Sequence, residues 1–592
     1  APQVALWDNS NIIESYGGVT TPLTFSFARV AYENVYRRFS RLMGVRPRRI
    51  ADEDQLFRNM LGLIRGRVYY NLLNWYRLIA LFPGFSLNRR YMERMMGVSD
   101  ALSEAFGARL APARSRRARA RALDLFWLSA TLASMAWNRV RLRASIARFQ
   151  RRLDAALAED GPPLSRLCYA ALVQRYRELE RRLLGGWDAP LVNDFYCMMA
   201  VGALSGFLKR RLGEDGARLA VDLVKCDQAV ISVEPIARIR AMARRAAATP
   251  SIQAALLTGS PGEARAALAS DPALERDFEA YLERFADRCF AELKLESPSL
   301  RDDPLPLLRS IGQAAAMPAG APRPARDPAQ EAAEGVLAAH FRTRPALRAV
   351  LALLVAEARA RTRDRENLRL ERTRVFGAAR RLFQEMGERL HRRGVLCDPR
   401  DVFYLELGEL LGFAEGTASS AELGPIARAR KAEFEAYAKA PDPPPRFVTT
   451  GAVQFGDIRA EVQDRDDEPP DGSDRRRGMG ASPGTVRGRV RVVRDPRDAE
   501  FPAGAILVAD HTDPGWVTLF VHTAGVVVER GSLLSHSAIV AREMGVPAVV
   551  ALRGATRWLS DDDVVEIDGR TGEVTRLLGA AGAAAGDEVE AA

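Results

Sequence analysis

The stretch S-H-S-A-I-V-A-R-E-M-G, Ser535 to Gly545, follows the turn Arg530-Gly531-Ser532 and places one histidine, His536, at the mouth of a short helix. Ser535 is a natural N-cap. Ile539 and Val540 supply an apolar face, Arg542 and Glu543 a polar one, and Gly545 followed by Pro547 stops the helix. Just upstream, the β-branched run G-V-V-V-E at 525–529 reads as a buried strand, and another strand begins at 548–552. An imidazole in the first turn of a helix sits where free backbone N–H groups and the positive end of the helix dipole stabilise an anion. A phosphate carried by, or facing, His536 is therefore favoured. Taken alone, the motif competes with a plainer reading, a capping or surface histidine, which is the commoner role at such a position.

Three further segments bear on that choice. G-A-S-P-G-T-V-R-G-R-V-R-V-V at 480–493 reads as a glycine-rich entry into a strand. A-G-A-I-L-V-A-D-H-T-D-P-G-W at 503–516 reads as a strand ending in a polar turn, and I-D-G-R-T-G-E-V at 567–574 as a closing hairpin. With these in their order, residues 480–578 resemble the phosphohistidine swivelling domain of the phosphoenolpyruvate-utilising enzymes, the group that contains pyruvate phosphate dikinase, phosphoenolpyruvate synthase and rifampicin phosphotransferase. The resemblance implies that His536 receives a phosphoryl group and passes it on. A neutral imidazole nitrogen is nucleophilic near neutral pH, and the labile N–P bond divides one hard transfer into two easier ones. Gly531, Ser532, Ser535 and Ser537 are candidate backbone or hydroxyl donors to the phosphate, and Arg542 a candidate added charge if its side chain turns inward. Two departures limit the carry-over. Leu534 stands where dikinases often carry a regulatory threonine, and Gly531-Ser532 replaces a frequent glycine pair.

Composition bounds the remainder. At 592 residues and 47% hydrophobic content the chain can bury large cores in two to four domains. No run of eighteen apolar residues and no leader-like N-terminus is visible, so the expectation is a cytoplasmic protein with no membrane association. Cys168, Cys197, Cys226, Cys289 and Cys397 are scattered and odd in number, which fits reduced thiols, and no metal site is expected. The net charge of +11 and the run R-S-R-R-A-R-A-R at 114–121 raise nucleic acid as a partner. The arginines, however, are spread over nearly every helical segment without a recognition motif, so no nucleic acid is expected, and anionic substrates explain the charge as well.

Ahead of the swivelling segment the chain reads as helix. Val375, Phe376, Ala379, Leu382, Phe383, Met386 and Leu390 recur at three- and four-residue steps within 364–390, and 55–82, 121–158, 164–185, 193–213 and 216–246 also favour helix. The proline-rich 317–328 reads as a surface loop, and the proline- and charge-rich 441–479 as a linker with a hinge near 465–480. Aromatic patches at 7–27, 68–77 and 193–199, with D-P-R-D-V-F-Y-L at 398–405, look like the middle domain built on the rifampicin phosphotransferase plan, in which a helical domain binds the acceptor. Apolar walls with a few amides and an arginine suit an acceptor pocket, but plain core packing is the commoner role of such patches.

The expected architecture is therefore multidomain: a large mainly α-helical, acceptor-binding domain at 1–440, a linker at 441–479, a small α/β swivelling domain at 480–578 and a disordered tail at 579–592. An ATP-grasp region and a phosphoenolpyruvate-binding barrel are both missing from the pattern. The opening at Ala1 reads as that of a fragment or of the downstream half of a split enzyme. The resemblance thus implies ATP and Mg on an ATP-grasp partner domain or subunit and a small-molecule acceptor on this chain. A non-catalytic phosphocarrier or scaffold is the alternative, and a degenerate binding module a third.

Overall fold

The computed structural model describes residues 4–81, 118–158, 161–224, 231, 234–317, 328–454, 459–460, 473–496, 501–531 and 535–578. Residues 318–327 of the expected proline-rich loop, the first half of the expected hinge (465–472) and the tail, with Ser532, Leu534 and Cys226, lie outside them. The second half of the hinge, 473–480, is described and carries strand Arg475–Arg477. The chain divides into two compact units, one formed by 1–196, 293–296 and 374–463, the other by 197–292, 297–373 and 464–592. It is mainly α-helical, with a small α/β region toward its C-terminal end.

The first unit holds an element that periodicity did not anticipate. Strands β1 (Val4–Asp8), β2 (Leu61–Ile64), β3 (Arg67–Asn71), β4 (Arg446–Thr450) and β5 (Arg459–Ala460) make an antiparallel sheet in the order β2-β3-β1-β4-β5. The helix expected over 55–82 is instead a short helix Asp54–Arg58, the β2–β3 hairpin and a helix Leu72–Ala80. The two-residue turn explains the switch. Arg65 (φ 46°) and Gly66 (φ 72°) are both left-handed, which suits the twist of paired strands, and V-Y-Y packs well on a pleated surface. Part of the expected linker is likewise a strand, because R-F-V-T-T after the prolines alternates apolar and polar residues as β4. It pairs with β1 in the register Trp7–Phe447 and Asp8–Arg446. Trp7 Nε1 donates to Thr449 Oγ1 at 2.9 Å, and Arg446 Nε donates to the buried Asp8 carboxylate at 2.6 Å.

Helices Ala118–Leu157, Tyr169–Arg182 and Ala189–Leu223 fall close to their expected places. The last is kinked at Gly213 (φ 67°, ψ −150°), and the segment expected to run on to 246 resumes as a separate helix, Glu234–Ala246. Among the described residues one helical stretch, Tyr169–Gly213, is long and apolar enough to cross a membrane, with 39% of its apolar window buried. That test rests on length and composition, and core helices of globular domains also pass it. Cys168, Cys197, Cys289 and Cys397 are free thiols.

In the second unit, helices Glu234–Ala246, Pro250–Thr258, Pro261–Ala269, Pro272–Phe285 and Leu305–Ala316 form a small bundle. Three of them begin with the pairs Thr249-Pro250, Ser260-Pro261 and Asp271-Pro272, a cap residue followed by proline at the first helical position. The same unit contains strands β6 (Arg475–Arg477), β7 (Met479–Ser482), β8 (Thr485–Val492), β9 (Ile506–Ala509), β10 (Gly525–Val528), β11 (Ala548–Val550), β12 (Val564–Asp568) and β13 (Glu573–Leu578). Their order is β6-β13-β12-β8-β9-β10-β11-β7, with a parallel centre from β8 to β11 and antiparallel flanks.

Strand alternation gives this sheet two buried faces. Leu507, Ala509, Val526, Val528, Ala548 and Val550 pack with the His536 helix and the bundle in one continuous core. Ile506, Val508, Val527 and Val549 face the other side, with Leu552, Leu559 and Ile567. Parallel strands covered on both faces read as unbroken apolar runs, as they do here.

Candidate active site

The connection from β10 to β11 is a right-sized parallel crossover, and its helix, His536–Met544, starts at the C-terminal edge of the parallel strands. That edge is where open α/β sheets place their chemistry. Ser535 caps the helix, its Oγ accepting from Ala538 N at 3.4 Å and lying 3.2 Å from Ser537 Oγ, and Gly545 (φ 64°) closes it in the left-handed conformation. The loops after β9 and β10 are tied together: Arg530 Nε donates to Asp510 Oδ1 at 2.9 Å, and His511 Nδ1 lies 2.9 Å from Asp510 Oδ2. Burial pushes the Asp510 carboxyl up, but His511 and Arg530 outweigh it and hold it below its usual range. Gly531, at φ 126°, turns the chain between these contacts.

His536 is only 3% exposed, and neither ring nitrogen has a hydrogen-bond partner among the described residues. Its Nδ1 lies 3.9 Å from Oε2 of Glu366, a fully buried carboxylate on the long helix Pro345–Arg392. That separation is too long for a hydrogen bond and acts through charge. Arg369, one turn on, lies 3.4 Å from Glu366. Burial would raise the Glu366 carboxyl, but Arg369, with His536 and Arg365, overcomes it and keeps the group ionised well below the usual range. Burial lowers the pKa of His536. Glu366 works against that shift, while the charges of Arg288 and Arg369 add to it. The imidazole is therefore neutral at physiological pH, with a proton favoured on Nδ1 toward Glu366 and a lone pair left on Nε2.

The turn that follows helix Pro272–Phe285 completes the enclosure. Ala291, itself left-handed (φ 51°), donates its N–H to Asp513 Oδ2 at 2.9 Å, and Gly515 donates to Asp513 Oδ1 at 2.7 Å. Thr373 Oγ1 donates to buried Glu292 at 2.8 Å. Burial raises both Glu292 and Asp513; Arg288 opposes it at Glu292, and the backbone donors oppose it at Asp513. Thr512 Oγ1, on the same loop, is buried without a partner.

The matches to known proteins fall on these same segments. Residues 501–572 match the family described as PEP-utilising enzyme, mobile domain, and residues 191–366 match the rifampicin phosphotransferase fourth domain. In these two segments the chain is similar to the phosphoenolpyruvate-utilising enzymes. An uncharacterised protein of Mycobacterium tuberculosis H37Rv is 32% identical over 492 residues, covering 81% of this chain and 51% of the relative. A rifampicin phosphotransferase of a Streptomyces species is 33% identical over 323 residues, 51% of this chain and 34% of the relative. One of Bacillus subtilis is 34% identical over 188 residues, 32% and 20% respectively. The chain spans about half the length, or less, of the curated relatives it matches.

The structure places the sequence-derived candidates unevenly. His536, Ser535 and Ser537 share one buried helix mouth, and Gly531 forms the turn that leads to it. Arg542 is buried on the same helix, with its Nε donating to the Ala481 carbonyl at 3.1 Å, so this group anchors the helix to β7. That placement replaces the reading of Arg542 as an added charge on the phosphate. Glu366, Arg369 and Arg288 were not singled out from sequence. The string R-D-R-E-N-L-R at 363–369 carried the signal for two of them, an acid and a cation three residues apart on the buried side of a helix.

Proposed function

We propose that the chain is the acceptor-binding and phosphoryl-carrying part of a phosphotransferase of the dikinase type. ATP, held with Mg on an ATP-grasp domain or subunit, gives its β-phosphoryl group to His536 while a water molecule takes the γ-phosphoryl group, so that AMP and inorganic phosphate leave. The swivelling domain then presents phospho-His536 to a small molecule with a nucleophilic hydroxyl, bound by the helical part. In that second step the acceptor oxygen attacks phosphorus, the N–P bond breaks and its electrons return to Nε2, which takes up the acceptor's proton. The ionised Glu366 keeps the other ring proton on Nδ1 and stabilises the imidazole as it regains charge, and Arg369 neutralises negative charge beside it. Among the described residues no group of three or more His, Cys, Asp or Glu side chains is placed to hold a metal ion.

One observation carries the reading. The imidazole at the mouth of its helix is buried with both nitrogens unused, facing an acid and cations rather than apolar packing. His522 is also buried with both ring nitrogens unpartnered among the described residues, so it is the acid and cations around His536, at the mouth of its helix, that set this imidazole apart. The test is a chase. Chain labelled on His536 is freed of nucleotide and mixed with rifampicin, the acceptor in the relatives' name, and then with other hydroxyl compounds. Label moving to a small molecule supports the transferase. Label that leaves for no small molecule supports the carrier or scaffold instead.

A further inference from the structure

Arg288 is 3% exposed, yet its Nε and Nη2 have no hydrogen-bond partner among the described residues. Buried guanidinium groups normally spend their five N–H donors, because an unused one forfeits its hydration with no return. Two other arginines of this unit do so, Arg542 donating to Ala481 O at 3.1 Å and Arg309 to Leu256 O at 3.0 Å. Where Arg372 and Arg476 leave a buried nitrogen unpartnered among the described residues it is Nε alone, whereas Arg288 leaves two. Arg288 is therefore not serving as an ordinary anchor.

Its position is set by two backbone contacts. The Ala291 N–H on Asp513 fastens the 288–292 turn to the loop after β9. The α-carbon of Gly515 sits so close that an added Cβ would overlap the carbonyl of Cys289, the residue next to Arg288. The turn thus lies on the C-terminal edge of the parallel strands, the edge from which the His536 helix starts. Its charge is felt at the imidazole, at Glu292 and at Asp513. With no phosphoryl group present, those two acids offset the guanidinium.

We propose that Arg288 is a phosphoryl-binding residue, its unused Nε and Nη2 taking oxygens of the phosphoryl group on His536 while the swivelling domain lies against the bundle of its own unit. The inference rests on His536 being the phosphohistidine. A phosphoryl group brings three acceptor oxygens and up to two negative charges, and the planar fork of arginine suits two of those oxygens. Phosphorylation then tightens the docking of the 288–292 turn on the loop after β9, so that the domain dwells where delivery occurs.

The test uses the full chain and potassium phosphoramidate, a chemical phosphoryl donor to imidazole, with mass spectrometry to locate the phosphate. Amide exchange across 286–292 and 510–516 is compared before and after labelling. Wild type is expected to exchange at least about tenfold more slowly once phosphorylated, the worth of one charge-assisted pair. Arg288→Gln should gain no protection on labelling, and Arg288→Lys, which keeps charge without the fork, an intermediate amount. Equal protection in Arg288→Gln and wild type, or none in phosphorylated wild type, overturns the proposal. If Arg288→Gln does not fold, Arg288→Lys decides, and protection equal to wild type overturns it. Failure to label His536 at all, with His536→Ala as the control, instead removes the phosphohistidine reading beneath it.

Discussion

His522 gives the sharpest stability prediction. It follows the short helix Val517–Phe520 at 1% exposure, its ring 5.9 Å from that of Phe501, and neither of its nitrogens has a partner among the described residues. Burial lowers its pKa to about 4. A histidine in the unfolded chain titrates near 6.5, so the folded state prefers the neutral ring. The stabilisation is complete above pH 6.5 and is lost as pH falls toward and through 4. Each pKa unit is worth about 1.4 kcal/mol, so protonation removes about 2 kcal/mol by pH 5 and about 3 kcal/mol by pH 4. Replacing the ring by an apolar side chain, His522→Leu, deletes this term at the cost of an imperfect fit, since no hydrogen bond is sacrificed. The assay is urea denaturation of wild type and His522→Leu at pH 7 and pH 5. Wild type should lose about 2 kcal/mol more than the variant over that interval. The difference cancels other titrating groups, His536 among them. Equal losses in the two proteins would refute the reasoning.

Two perturbations test the site. In Gly515→Ala the new Cβ meets the Cys289 carbonyl and lies 2.5 Å from Phe290 N, backbone that cannot swing aside, so the 288–292 turn should part from the loop after β9. Faster amide exchange in 286–292 and 510–516, with far-ultraviolet circular dichroism unchanged, is the expected outcome; unchanged exchange would count against that contact. In Glu366→Gln the one nearby charge that raises the His536 pKa disappears, so the imidazole should titrate lower than in wild type by proton NMR, and a rise would contradict the electrostatic account.

The legible parts were those with local causes. The His536 helix is specified locally by a serine cap, a left-handed glycine and a proline two residues later, and β9, β10 and β11 by unbroken apolar runs between turns. The β2–β3 hairpin was hidden because its aromatic and aliphatic residues also suit a helical stripe, and the Arg65-Gly66 turn carries an arginine where Asn or Asp would have signalled it. Strand β4 was masked by the prolines before it, since its partner β1 lies at the far end of the sequence. The residues around His536 were hidden for the same reason. Glu366, Arg369 and Arg288 come from elements remote in sequence, and in an arginine-rich chain nothing local separates a buried cation from the many on solvated faces.

The central claim is that His536 carries the phosphoryl group. The direct measurement mixes the chain with an ATP-grasp partner and ATP labelled at the β-phosphate, digests the product under alkaline conditions and maps the label. The account predicts one acid-labile phosphate on the peptide containing His536, absent from His536→Ala. Label that persists in His536→Ala, or that maps to another residue, would contradict it.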